Sequence, residues 1–381
     1  MASLRVSWAI VVGEYPPQPG GVSDYTRQIA EALADAGDDV HVLAPPVALD
    51  GPTYPGVTVH RLPDRYGVRG ILAATRILAR LPTSRRVLVQ FVVQSFGMRA
   101  MNVPFAFWLL TIRPDVMFHE TVIKLDARMN VTRKVQAVVT QIIGFIVMRA
   151  ARRTFVSTPA WIPRIRAWAP GAAPVHLYIP SNISTTVDGD AVSAAARNIR
   201  DGRTGPILGH FGTYNMSQTR RFLTAFVPLF LERYPTASFA LVGRGGAAFA
   251  RTLLEDFPTY AQRVAACAGE RREEVATSLA ACDILIQPYY DGATTRRTSL
   301  AAGLALGKPT VSNDGYATEA IWRTSRAIAL APAFDAAAVL TEASHLIGDE
   351  TTRLELGRRA VALYREHFEV AQTVAGLREG L

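Results

Sequence analysis

Short apolar runs alternate with stretches of helical period along most of this chain. Residues 6–12 are apolar except for Ser7 and predict a buried strand. Residues 22–36 have helical spacing, with Ile29, Ala30 and Leu33 on one face and Gly37 as the stop. Strands are predicted over 40–43 and 57–62, a helix over 71–81, and strands over 87–93 and 116–119. A long helix over 131–151 and a strand over 155–157 follow. From Tyr178 the pattern lapses into turn-forming residues, which places a linker near 180–204. Alternation then resumes: strand 207–211, helix 220–233, strand 238–242, and helices 247–257 and 271–281. The segment 283–315 reads as one βαβ unit. Its apolar run 284–286 stops at Pro288, a polar loop leads into a small-residue helix over 298–306, and Gly307 and Pro309 open a second strand. Repeated β-then-α units predict an α/β fold with parallel doubly wound sheets.

With 381 residues the chain exceeds one ordinary core, so two domains facing a central cleft are expected. The formal charge is +9, and only Lys124, Lys134 and Lys308 are lysines. Arginine suits bidentate phosphate recognition. No long basic run or basic–aromatic alternation appears, so nucleic acid is not the expected partner. Phosphorylated small molecules or an anionic membrane surface fit the charge as well. Cys267 and Cys282 cannot frame a zinc site and read as two reduced packing residues. The N-terminus lacks the charged and apolar regions of a signal peptide, which makes a cytoplasmic location the expectation. The apolar stretch 135–148, followed by Arg149, Arg152 and Arg153, reads as too short and too polar to span a bilayer. A buried helix is expected there, with a membrane-surface helix, peripheral on the inner face, as the alternative.

Polar constellations cluster where predicted strands end. The loop after the first strand carries Glu14, Tyr15, Gly20 and Gly21 and enters the first helix, where Ser23 or Asp24 is placed to cap. Pro16, Pro17 and Pro19 fill it, so it is not a dinucleotide fingerprint. His119 and Glu120 end a later strand, and Lys124 and Arg128 follow where an anionic acceptor would meet them. In the second half, residues 209–214 run from strand into loop ahead of Arg220 and Arg221, and Gly243–Arg244–Gly245–Gly246 forms a glycine-rich turn. Glu270 and Arg271 precede a helix. Arg296, Arg297, Thr298 and Ser299 stand at a helix start, where free amides and the helix dipole favour an anion. Each of these also admits a plain reading as turn, cap or packing residue.

Tyr15-Pro-Pro followed by Gly20-Gly21-Val-Ser-Asp-Tyr resembles the start of glycosyltransferase family four. Residues 209–214, Leu241-Val242-Gly243, the strand 283–288 and Gly307-Lys308-Pro309 resemble its C-terminal half. The resemblance implies the GT-B fold, with a domain over 1–180 joined by the C-terminal helix (about 366–381) and a donor domain over 181–365. It implies retaining transfer of a sugar from a nucleotide-sugar donor, UDP or GDP type, without a metal or other cofactor. The acceptor would be a hydroxyl of a glycan, a lipid-linked sugar or a small molecule. Arg296, Arg297 and His119 would then serve the reacting centre. Gly20, Gly21, Gly212, Thr213, Arg220, Gly243, Arg244, Glu270, Arg271, Thr298 and Ser299 would bind the donor. Glu14, Tyr15, Tyr25, Lys124 and Arg128 would meet the acceptor. Many members carry two glutamates where this chain has Thr294 and Ala302, and Asp291 is the nearest acid. The run 292–297 is similar to a subgroup with an Arg-Arg loop instead. Many members also carry an arginine and a lysine after the first strand of the donor domain, so His210, Arg220 or Arg221 must substitute, or the role moves to Arg296 and Arg297. A non-catalytic sugar-nucleotide-binding or scaffold protein, or another GT-B enzyme such as a UDP-sugar epimerase, are the alternatives.

Overall fold

The computed structural model describes residues 5–49, 51, 53–123, 125–126, 129–267, 269 and 271–380. The chain divides into two compact units, residues 1–178 with 370–381 and residues 179–369.

The first unit runs β1 (Ser7–Val12), α1 (Gly21–Asp35), β2 (Asp39–Ala44), β3 (Val57–Arg61), α2 (Val68–Arg80), β4 (Arg86–Phe91), α3 (Val103–Ile112), β5 (Asp115–Phe118), α4 (Val131–Ala150), β6 (Thr154–Val156), α5 (Ile162–Trp168) and β7 (Val175–His176). Its parallel sheet has the order β3-β2-β1-β4-β5-β6-β7. The central strands are almost wholly apolar because helices cover both faces. On α1, Tyr25, Ile29 and Leu33 recur every fourth residue and are all buried. The helix α3 was not predicted, since its continuous apolar run lacks a helical period. Asn102 caps it by accepting from Phe105 N–H at 3.1 Å.

The expected buried helix α4 is only half buried. Ala137, Thr140, Ile143, Gly144, Val147 and Met148 pack inward. Val131, Val135, Val138, Ile142 and Phe145 on the opposite face are exposed. The helix has 20 residues, enough to cross a membrane by length and composition, so the judgement that it is too short does not hold. Its inner face lies in the hydrophobic core of the unit, which fixes it there as a packed helix.

The second unit runs α6 (Gly189–Arg200), β8 (Ile207–Phe211), α7 (Ser217–Arg233), β9 (Ser238–Val242), α8 (Gly246–Asp256), β10 (Val264–Cys267), α9 (Arg272–Ala280), β11 (Ile284–Ile286), α10 (Thr298–Ala305), β12 (Thr310–Asn313), α11 (Ala320–Ser325), β13 (Ala329–Ala331), α12 (Ala336–Gly348) and α13 (Glu350–Leu363). The order is β10-β9-β8-β11-β12-β13, again parallel. The helix α6 stands inside the segment expected to be a linker. Asp188 caps it through the amides of Asp190 and Ala191, and its alanines favour the helix despite the turn-rich approach. The strand β10 was missed because it is a four-residue edge strand.

The last helix, α14 (Val370–Arg378), returns to the first unit. Arg153 donates to the carbonyls of Leu377 and Glu379 at 2.6 Å, and Arg378 pairs with the buried Asp38. Asp115, fully buried, holds Arg86, Arg152 and Arg153 together at the start of β5.

Candidate functional site

In the second unit the strand order reverses between β8 and β11, and ligands of such sheets lie beyond the strand ends at this switch point. The loops leaving β8 and β11 carry Gly212, Thr213 and the Arg296–Arg297 pair. The ends of the strands are tied together by side chains. The Gln287 amide accepts from Phe211 N–H at 2.9 Å and donates to Phe211 O. Ser312 Oγ donates to Gln287 O at 2.7 Å, and Asn313 bonds both the N–H and the carbonyl of Tyr289.

The Arg-Arg loop differs in charge from the sequence expectation. Asp291 pairs with Arg296 at 3.3 Å and also with Arg297. The two guanidiniums are therefore partly neutralised by a carboxylate of their own loop. Arg297 lies over the Tyr289 ring at 4.6 Å, and its Nε is buried without a partner. The Tyr289 hydroxyl, pushed up to about 12 by burial, lies 2.8 Å from Ser299 Oγ, so the Ser299 hydroxyl already has a partner. Arg297 occupies the N-cap of α10 with no side-chain cap, which leaves the first amides of the helix, those of Thr298 and Ser299, without intrahelical acceptors. The Thr294 hydroxyl, at one missing glutamate position, is buried and unpartnered, and Ala302, at the other, is buried. The loop is held by close backbone contact: Gly292 has φ +97°, and a methyl there would overlap Thr318 Oγ1 and press on Gly315.

The loops after β8 and β9 meet at the same end of the sheet. Gly243 has φ +112°, and a side chain there would overlap Gly212 O. The glycines thus serve backbone packing between neighbouring loops. Tyr214 donates to His210 O at 2.8 Å and stacks on Phe249. Burial pushes the His210 ring down to about 3, so it is neutral at pH 7 and cannot supply the cation expected after this strand. Its Nδ1 is buried without a partner. Arg220 is exposed over the Phe249 ring at 5.6 Å, Arg244 is exposed, and Arg271 pairs loosely with Glu274 at 3.7 Å. Glu270 lies outside the described residues. A groove of about 610 Å³ lined by Lys308, Arg353, Arg358 and Arg365 lies at the other end of β11 and β12, where those strands begin.

In the first unit the reversal falls between β1 and β4, and the glycine loop leaves β1 there. The N-cap position of α1 is Gly20, which has no side chain to cap with, and not Ser23 or Asp24. Ser23 Oγ donates to Gln18 O at 2.7 Å. The capping anion is Glu14, which accepts from Ser23 N–H at 3.3 Å. A Cβ at Gly20 would meet the Glu14 carboxylate, so a side chain there would have to displace that cap, whereas space at Gly21 is open. Burial raises the Glu14 carboxyl above its ordinary range, and the Ser23 and Val22 amides oppose that shift.

His119, at the end of β5, is nine-tenths buried. Its Nε2 lies 2.8 Å from Gln90 Oε1, and Tyr25 packs edge-on at 4.9 Å. Burial pushes the ring down to about 3, so His119 is a neutral imidazole donating to Gln90. It is suited to hydrogen bonding and not to acting as a cation. Tyr15 is buried with Arg61 over its ring at 5.8 Å, and burial pushes its hydroxyl up to about 12. Lys124 and Arg128 lie outside the described residues. The sequence did not single out Gln90, Asp291's pairing role, Tyr289 or Glu14 as a cap. Only Glu14 and Asp291 carried a sequence signal, as carboxylates inside glycine-rich strand-end loops.

Residues 205–349 match the family model described as glycosyl transferases group 1. No curated protein matches the chain. Among solved structures it is similar to a sucrose-phosphate synthase from Thermosynechococcus elongatus, with 18% identity, 98% of each chain covered and a TM-score of 0.73. It is also similar to HepE of Anabaena in complex with UDP-glucose, at 16% identity, covering 98% of this chain and 100% of that one, with a TM-score of 0.67. A third is WaaG, a glycosyltransferase involved in lipopolysaccharide biosynthesis, at 13% identity, 99% and 100% coverage and a TM-score of 0.63. The two Rossmann-like parallel-sheet units are those of the GT-B fold, and the matched segment supports a glycosyltransferase enzyme.

Proposed function

We propose that this chain transfers a sugar, with retention, from a UDP-type nucleotide sugar to a hydroxyl acceptor. The observation that carries the proposal is the Arg296–Arg297 loop, which stands at the switch point of a glycosyl transferases group 1 domain beside an uncapped helix start. HepE, which shares the fold, is described with UDP-glucose bound, and this favours uracil as the base.

Departure of a diphosphate places growing negative charge on the leaving oxygens. Guanidiniums and helix amides fixed before the reaction stabilise that charge without reorganising. In this chain Asp291 holds both guanidiniums in place. An arriving diphosphate offers them more charge than one carboxylate does, so exchange of partner accompanies binding. Acceptor attack from the face the diphosphate leaves allows the phosphate itself to take the proton, and no protein nucleophile is needed. The positive charge comes from arginines, so transfer proceeds without an added metal ion.

A thermal-shift screen across UDP-, GDP-, ADP- and dTDP-sugars tests the proposal. Stabilisation shared by UDP and its sugars is expected, and no response to any nucleotide sugar would overturn it. The pairing of both arginines with Asp291 favours a second reading, a binding protein without turnover. Slow hydrolysis of a bound UDP-sugar is expected of the enzyme and absent from the binder.

A further inference from the structure

The outward face of α4 is the largest unexplained feature of the first unit. Val131, Val135, Val138, Ile142 and Phe145 follow one another at intervals of four and three residues, which places them on a single stripe opposite the buried face. Phe107 and Leu110 on α3, which packs against α4, are exposed as well, and exposure in this set runs from 41% at Leu110 to 77% at Val131. A helix apolar all round is normally buried on both sides. A continuous patch of this kind marks a surface that something else covers.

The charges around the stripe say what covers it. Residues 98–113 and 129–153 contain no aspartate or glutamate. Arg99, Arg113, Lys134 and Arg149 are exposed at its borders. Gln136 Nε2 donates to Arg99 O at 2.6 Å and holds that turn against α4, and Arg149 folds over the Phe145 ring. The nearby Asp115 is fully buried among three arginines and offers no compensating charge outside. A second copy meeting this face about a two-fold axis would set like charges against each other. Asp126, in the turn before α4, is the one exposed acid close to the start of the stripe among the described residues. An apolar stripe with a predominantly basic border matches a bilayer carrying anionic headgroups, the apolar side chains entering the acyl boundary and the arginines meeting the phosphates.

We infer that α3 and α4 form a membrane-docking face that seats this protein on an anionic lipid surface. The inference does not depend on the proposed reaction, because vesicle binding reads it without a substrate.

The test is flotation of the full chain with phosphatidylcholine vesicles and with vesicles of equal parts phosphatidylcholine and phosphatidylglycerol. Binding is expected only to the anionic vesicles and is expected to weaken as salt rises. The triple variant Val135→Gln, Val138→Gln, Ile142→Gln alters only exposed positions. It is expected to lose roughly tenfold or more of the partitioning, with an unchanged melting temperature and circular dichroism. Equal binding of the triple variant overturns the inference, and so does equal binding to neutral vesicles. A wild-type dimer in sedimentation that the triple variant abolishes would also overturn it, by giving the face to a second copy.

Discussion

Replacing Arg297 by alanine separates two roles its side chain can hold. As a clamp it contributes the ion pair with Asp291 and the stack on Tyr289. The paired side chains are 21% and 17% exposed, and the second pair of Asp291, with Arg296 at 3.3 Å, is not part of the substitution. A pair this accessible is worth about 1 kcal/mol, and the stack adds about 0.5–1 kcal/mol. Loss of the clamp alone should lower the melting temperature by about 2–6 °C. As a ligand of the leaving diphosphate, the guanidinium would make one or two charge-assisted hydrogen bonds of about 1.5–3 kcal/mol each. Loss of those lowers kcat/KM by roughly 10- to 10⁴-fold. The two magnitudes are far enough apart for a decision. Melting temperature, UDP affinity by calorimetry and UDP-sugar hydrolysis or transfer should be measured on Arg297→Ala, Arg297→Lys and Asp291→Asn. Arg297→Lys keeps the charge without the planar fork and should fall between wild type and alanine. Asp291→Asn should lower stability while leaving UDP affinity equal or tighter, since it removes the competing carboxylate. If Arg297→Ala melts a few degrees lower yet binds UDP and turns over like wild type, the residue is a clamp only. The donor assignment of this loop would then be wrong.

Three further predictions follow from the packing. His119 and His210 both have rings pushed down to about 3 by burial, well below the ordinary value of 6.5. The unfolded chain therefore binds more protons below pH 6.5, and stability should fall as pH drops from about 6.5 towards 3; a slope between pH 7 and 5 that does not shrink in His119→Gln would remove burial as its cause. Gly243→Ala should cost about 2 kcal/mol or more in urea unfolding, because φ +112° and the Gly212 carbonyl both oppose a side chain; a loss below half that would show the turn can relax. Glu14→Gln keeps an acceptor for Ser23 N–H while removing a carboxylate whose ionised form burial disfavours. Its stability relative to wild type should rise as pH increases above the carboxyl's ordinary value of 4.5, which melting curves at pH 4 and pH 7 would show.

The alternation of apolar runs and helical patterns determined two parallel-sheet α/β halves, because strands covered on both faces must be apolar throughout and the intervening helices need only one apolar side. The loops rich in glycine and arginine were visible for the same reason, since strand ends are where a doubly wound sheet stops burying its chain. Among the elements the sequence pattern did not predict were α3, with an apolar run that has no period; α6, behind turn-forming residues; and β10, four residues at a sheet edge; α5, β7 and the elements from α11 to α13 were not predicted either. Tertiary structure alone decided which charges and faces are satisfied. It placed Asp291 against both arginines, Glu14 over the start of α1, and His119 and His210 in surroundings too dry to accept a second proton. It also turned the apolar side of α4 outward. Such outcomes depend on which groups distant segments bring within a few ångströms of one another, and the residue order along the chain does not contain those distances.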